Sequence, residues 1–161
     1  LSAGTYLEVG SGGPGTLDVT GGARASSATT TALGVLPGSV GTVNITGNGS
    51  SLEVGTSLLV GYQSTGILTA SNGGSVTVAG SLELGSLPGG SGAMVVNPGG
   101  TLRVGGANGI RTGTGEAGFY LNGGTLEVHQ ANLTTTLPVI LNNISTLKAD
   151  NLNAVLSGPL S

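Results

Sequence analysis

The sequence predicts an all-β protein, a parallel β-solenoid of about six coils, each about 25–26 residues long and built from three short strands. Three observations carry this. Short runs alternate apolar and polar residues, as in Ile67-Leu68-Thr69, Ser75-Val76-Thr77-Val78 and Ser81-Leu82-Glu83-Leu84. That alternation marks a strand with one buried face. The runs are broken by Gly, Asn or Ser, which supply the backbone angles of corners. The pattern then recurs: Gly15, Gly41, Gly66, Gly92 and Gly118 each lead a similar strand, at spacings of 26, 25, 26 and 26 residues.

The first strand of each coil follows its leading glycine. Alternation turns Leu17, Val43, Leu68, Met94 and Tyr120 inward as one column. A second strand contributes Leu52, Val76, Leu102 and Leu126, and a third contributes Leu7, Leu58 and Leu82. One coil cannot bury its own face, but stacked strands about 4.8 Å apart bury each other's. The enclosed interior is narrow, which suits Leu, Val and Ile and leaves little room for aromatics. Residues 25–37 interrupt the glycine punctuation with Ser-Ser-Ala-Thr-Thr-Thr, so a loop or bulged coil is expected there. No segment keeps a helical period, and Gly, Thr and Ser are too dense for helix.

The organisation divides at Val128. Residues 1–128 hold the regular coils. Residues 129–161 read as variant coils continuing the same solenoid, with strands around Val139, Leu147 and Val155 separated by Asn-Asn and Asp-Asn corners. The chain opens at Leu1 within patterned sequence, as a segment of a longer protein would.

Composition excludes several functions. Four Lys and Arg against seven Asp and Glu leave no basic footprint for nucleic acid. Zero cysteine removes disulfides and thiolate metal sites. The single histidine, His129, has no second imidazole to share a transition metal, and no repeated calcium motif occurs. No cofactor or metal site is expected. No apolar run reaches the length of a transmembrane helix.

With the repeats aligned, Gly41–Gly55 (GTVNITGNGSSLEVG) and Gly74–Gly85 (GSVTVAGSLELG) resemble passenger repeats of type V secreted autotransporters, also found in PEP-CTERM-associated surface proteins. The tail, with LPVILNNISTL and NAVLSGPLS, resembles the start of an autotransporter-associated β-strand repeat. The resemblance implies a right-handed parallel β-helix, exported and displayed on a bacterial cell surface. It implies adhesion or self-association, against another copy or against a protein or glycan of a host or biofilm surface. Outer-membrane anchoring would come only through a barrel domain outside this segment.

Catalytic chemistry finds little support in the residues. Glu8, Glu53, Glu83 and Glu127 each occupy the outward middle of an L-E-V or L-E-L triplet. A glycosidase pair needs its carboxyls about 5–9.5 Å apart across a cleft. Glu53 and Glu127 are expected two coils apart, with Arg103 beside Glu127 as a weak surface ion pair. The expectation is therefore a structural or adhesive segment that is not an enzyme. The alternatives are a β-helical polysaccharide lyase, hydrolase or tailspike, and a subunit of an extracellular filament. The outward slots of the first strand turn apolar along the chain, and with Leu59 they define a possible lateral interaction surface of Leu59, Thr69, Val95 and Leu121. Cover from residues 107–115 or from the tail would make the same residues structural.

Overall fold

The computed structural model describes residues 1–106 and 109–159. Among them no helix occurs, and nineteen strands follow the chain in coils. The first coil holds β1 (Ser2–Ala3), β2 (Tyr6–Val9) and β3 (Pro14–Val19). The second holds β4 (Arg24–Ser27), β5 (Thr30–Leu33) and β6 (Val40–Thr46). The third holds β7 (Ser51–Val54), β8 (Ser57–Val60) and β9 (Thr65–Ser71). The fourth holds β10 (Ser75–Val78), β11 (Ser81–Leu84) and β12 (Ser91–Val96), and the fifth β13 (Thr101–Gly106), β14 (Ile110–Thr112) and β15 (Glu116–Asn122). The chain ends with β16 (Thr125–Thr135), β17 (Val139–Asn142), β18 (Thr146–Lys148) and β19 (Ala154–Leu156).

Strands at the same place in successive coils pair in parallel and form three sheets. Sheet A runs β1-β4-β7-β10-β13-β16-β18, with β19 also on β16. Sheet B runs β2-β5-β8-β11-β14, and sheet C runs β3-β6-β9-β12-β15-β17. The chain is thus a parallel β-solenoid, and sheet C stacks six strands along it.

Register converts alternation into core columns. Leu52, Val76, Leu102 and Leu126 are successive partners in sheet A. Leu58, Leu82 and Ile110 are partners in sheet B. Leu17, Val43, Leu68 and Met94 are partners in sheet C. From Val43 through Leu126 the apolar members of these columns are fully or almost fully buried. Burying one such side chain contributes about 1.5–3 kcal/mol.

The glycine repeat has a steric cause at the corner from sheet B to sheet C. Gly10, Gly34, Gly61 and Gly85 all have positive φ there, between 60° and 75°. A Cβ at Gly61 would overlap the backbone of Ser91 in the next coil. The leading glycines abut the same corner from the other side, so Gly66 has no room for a Cβ against the backbone of Gly61.

The expected loop at residues 25–37 is instead a regular coil. β4 and β5 pair in register with the coils on both sides. Ser27 and Thr31 point inward where other coils carry Val and Leu. Their hydroxyls lie 2.8 Å apart and satisfy each other inside the core, so alternation survives without apolar residues. The turn after it, Leu36-Pro37-Gly38-Ser39, has a counterpart in Leu87-Pro88-Gly89-Gly90. Both close with a backbone bond, from Ser39 N to the Leu36 carbonyl and from Gly90 N to the Leu87 carbonyl.

The fifth coil corrects the predicted column. Met94 pairs with Phe119, not Tyr120, and Val96 pairs with Leu121. Phe119 and Leu121 are buried, while Tyr120 lies on the outer face. Ala117, not Gly118, takes the place of the leading glycine opposite Gly92. The interior also admits an aromatic, since Phe119 is fully enclosed.

The variant coils continue the stack. The corners Asn142-Asn143 and Asp150-Asn151 turn through asparagines of positive φ, 62° at Asn143 and 56° at Asn151. β16 itself bulges. Val104 faces Val128 but Gly106 faces Leu133, so residues 129–132 swing out opposite Gly105, with Gln130 at φ 65°.

Candidate functional surface

A solenoid offers chemistry only on its outer faces, and register lines up the outward residues. On sheet A the ladder is Glu53, Thr77, Arg103, Glu127, Lys148. On sheet B it is Glu8, Ala32, Leu59, Glu83, Arg111. On sheet C it is Asp18, Asn44, Thr69, Val95, Tyr120, Ile140.

Charge is confined to the first two faces along most of the rod. Arg103 Nε lies 3.3 Å from Glu127 Oε2, as expected from the sequence. Lys148 Nζ lies 3.7 Å from the same carboxylate and 2.9 Å from Asp150. The hydrogen bond to Asp150, then the two nearby carboxylate charges, raise the Lys148 pKa above its ordinary value. Arg24 pairs with Glu53 at 3.6 Å, and Arg111 Nε with Glu83 at 2.6 Å. Every lysine and arginine of the protein thus has an acidic partner on sheets A and B. The exposed arginine pairs contribute roughly 0–1 kcal/mol each.

The carboxylates are farther apart than the sequence reading placed them. Glu53 and Glu127 are three strand steps apart, not two, with Thr77 and Arg103 between them. Three steps amount to about 14 Å, outside the range of a glycosidase pair. Glu8 and Glu83 are likewise three steps apart on sheet B.

Sheet C has a different character. Between Asp18 on β3 and Glu116 on β15, its outward slots carry no charge: Thr42, Ile67 and Ala93 in one ladder, Asn44, Thr69 and Val95 in the next. A Cβ at Gly118 would strike the Tyr120 ring, so that ring lies across the glycine on the sheet surface. Asparagines edge this face. Asn122 Nδ2 donates to Asn97 Oδ1 at 3.2 Å, and Asn142 Nδ2 donates to Asn122 Oδ1 at 2.8 Å.

The four residues predicted as a lateral surface do not form one. Thr69 and Val95 are register neighbours on the outer face of sheet C. Leu59 stands on sheet B. Leu121 is inside, 3% exposed, because the fifth coil is shifted by one residue from the predicted register. Tyr120 takes its place beside Val95. The signal was present, since Phe119 and Leu121 are more apolar than the Tyr120 between them. Of residues 107–115, Ala107 and Asn108 lie outside the described residues, and Ile110–Thr112 forms β14 in sheet B, away from Val95.

No protein-family model matches the chain, no curated protein matches it, and no solved structure matches it.

Proposed function

We propose that this chain is a rigid, non-enzymatic segment of an exported bacterial surface protein of the autotransporter-passenger kind. In this reading it adheres or self-associates laterally through the outer face of sheet C. The single observation that carries it is the segregation of charge: sheets A and B hold the ion pairs, while sheet C presents Thr42, Ile67, Thr69, Ala93, Val95 and Tyr120 without an ionised group among them. Uncharged, partly apolar surface of this kind is what protein contacts use. A stacked scaffold adds many weak contacts in parallel, because its ladders are held in fixed register.

Sedimentation velocity over a range of concentrations tests it. The wild-type coefficient should rise with concentration. Thr69→Asp with Val95→Asp should abolish the rise, because like charges then face a desolvated partner, while Thr77→Asp on sheet A should leave it intact. A wild-type coefficient that stays flat to high concentration would defeat the lateral reading.

A second reading, end-to-end stacking into a filament, has its own support. Among the described residues β17, β18 and β19 each pair with a strand on one side only, and Leu141, Leu147 and Val155 on them are exposed. Electron microscopy separates the two, as rods of fixed length or as fibres that lengthen with time.

A further inference from the structure

We propose that sheet B carries a binding cleft for an organic ammonium cation of the trimethylammonium or methylated-amine kind. The cleft follows from side-chain size across three neighbouring strands. β2 presents Tyr6 and Glu8 outward, two residues apart and on the same face. Next to them, in register, β5 presents only Thr30 and Ala32. Beyond it β8 presents Leu59 beside Ala32, and Tyr62 follows at the corner. Large side chains on the outer strands and small ones on the middle strand make a trough about 9–10 Å between its rims, two strand spacings. The trough is a cavity of about 260 Å³.

Its chemistry selects a cation. Two of the protein's three tyrosines stand at this one cleft, and Tyr6 is 67% exposed. Tyr62 is anchored at its base, where its backbone N–H donates to the Leu33 carbonyl at 2.9 Å. Glu8 is the only carboxylate among the lining residues. Among the described residues the ion pairs engage Glu53, Glu83, Glu127 and Asp150, but not Glu8. The Glu8 carboxylate accepts one hydrogen bond, from Ser11 Oγ at 2.7 Å, which steadies it and leaves its other oxygen free. No Lys or Arg side chain lines the cleft, so it has no positive charge to balance an anion, and the Glu8 carboxylate would repel one. A carboxylate, aromatic rings and a small-residue floor of Thr30 and Ala32 instead match a diffuse positive charge carried on methyl groups, attracted by the rings and by Glu8.

Choline and its neutral isostere 3,3-dimethyl-1-butanol test this directly. Tyrosine fluorescence reads the binding, since the protein has no tryptophan, and Tyr120→Phe removes the signal of the third ring on sheet C. Choline should give a saturable change, and the isostere should bind roughly tenfold more weakly or not at all. Glu8→Gln and Tyr62→Leu should each weaken choline roughly five- to thirtyfold, with the circular-dichroism spectrum unchanged. Equal binding of choline and the isostere would mean an apolar trough without charge recognition and would overturn the proposal. So would the absence of any saturable change with choline. These outcomes do not depend on the lateral contact of sheet C, which sedimentation reads separately.

Discussion

Leu126 and Leu147 are register partners in one inward column of sheet A, yet Leu126 is fully buried and Leu147 is 47% exposed. Leu121 and Leu141 repeat the contrast in sheet C, at 3% and 41% exposed. The local sequences are alike, since each pair sits in an alternating strand that turns its leucine toward the axis. What differs is the number of coils in contact. Leu126 has strands on both sides, whereas Leu147 and Leu141 lie on the outermost strands of their sheets among the described residues. In a stacked fold direction is a property of the strand, and burial is a property of its neighbours.

The largest expected effect sharpens that contrast. Leu68→Ala, in the middle of sheet C, should cost about 2–5 kcal/mol of unfolding free energy, because flanking coils prevent the cavity from collapsing. Leu147→Ala should cost less than about 1 kcal/mol, since water already reaches that side chain. Chemical denaturation of the two variants measures the difference, and equal losses would mean that the end coil is as well packed as the centre.

The second coil provides a finer test. Thr31 is fully buried and its hydroxyl meets only Ser27 in the core. Thr31→Val should cost about 1–3 kcal/mol by stranding the Ser27 hydroxyl. Adding Ser27→Ala should recover most of that loss, because neither polar group then remains. A double variant no more stable than the single one would break this account of how the coil tolerates its serine and threonine.

The smallest effect is electrostatic. Arg111→Ala removes the 2.6 Å pair with Glu83 on the face of sheet B, and roughly 0–1 kcal/mol should go with it. Thermal melts at low and high salt check this, since an exposed pair is screened and the difference between variant and wild type should shrink as salt rises.

Much of the architecture was legible because two short-range signals agree. Glycine marks the corners, and alternation assigns faces between them. Together they placed Leu52, Val76, Leu102 and Leu126 in one column and Arg103 beside Glu127. They failed where the signals competed. Gly118 looked like a leading glycine by its spacing, but its role is to make room for the Tyr120 ring, and Ala117 occupies the corner. That one-residue difference exchanged the inside and outside of a whole strand, since side chains alternate with a period of two. It moved Leu121 from the proposed surface into the core. At residues 25–37 the absence of apolar residues suggested a loop, because a single sequence does not show that two inward hydroxyls will find each other across a corner.

The sequence by itself determined the class of fold, the three-strand coil and the inward or outward sense of most side chains. These follow from local backbone sterics and from a two-residue period that any strand obeys. The tertiary structure alone decided which outward residues become neighbours: the charged ladders, the uncharged face of sheet C, and the meeting of Tyr6, Glu8 and Tyr62 around a small-residue floor. Those contacts join residues a full coil or more apart. Their register depends on every corner between them, and one residue gained or lost at a corner changes which side chains meet.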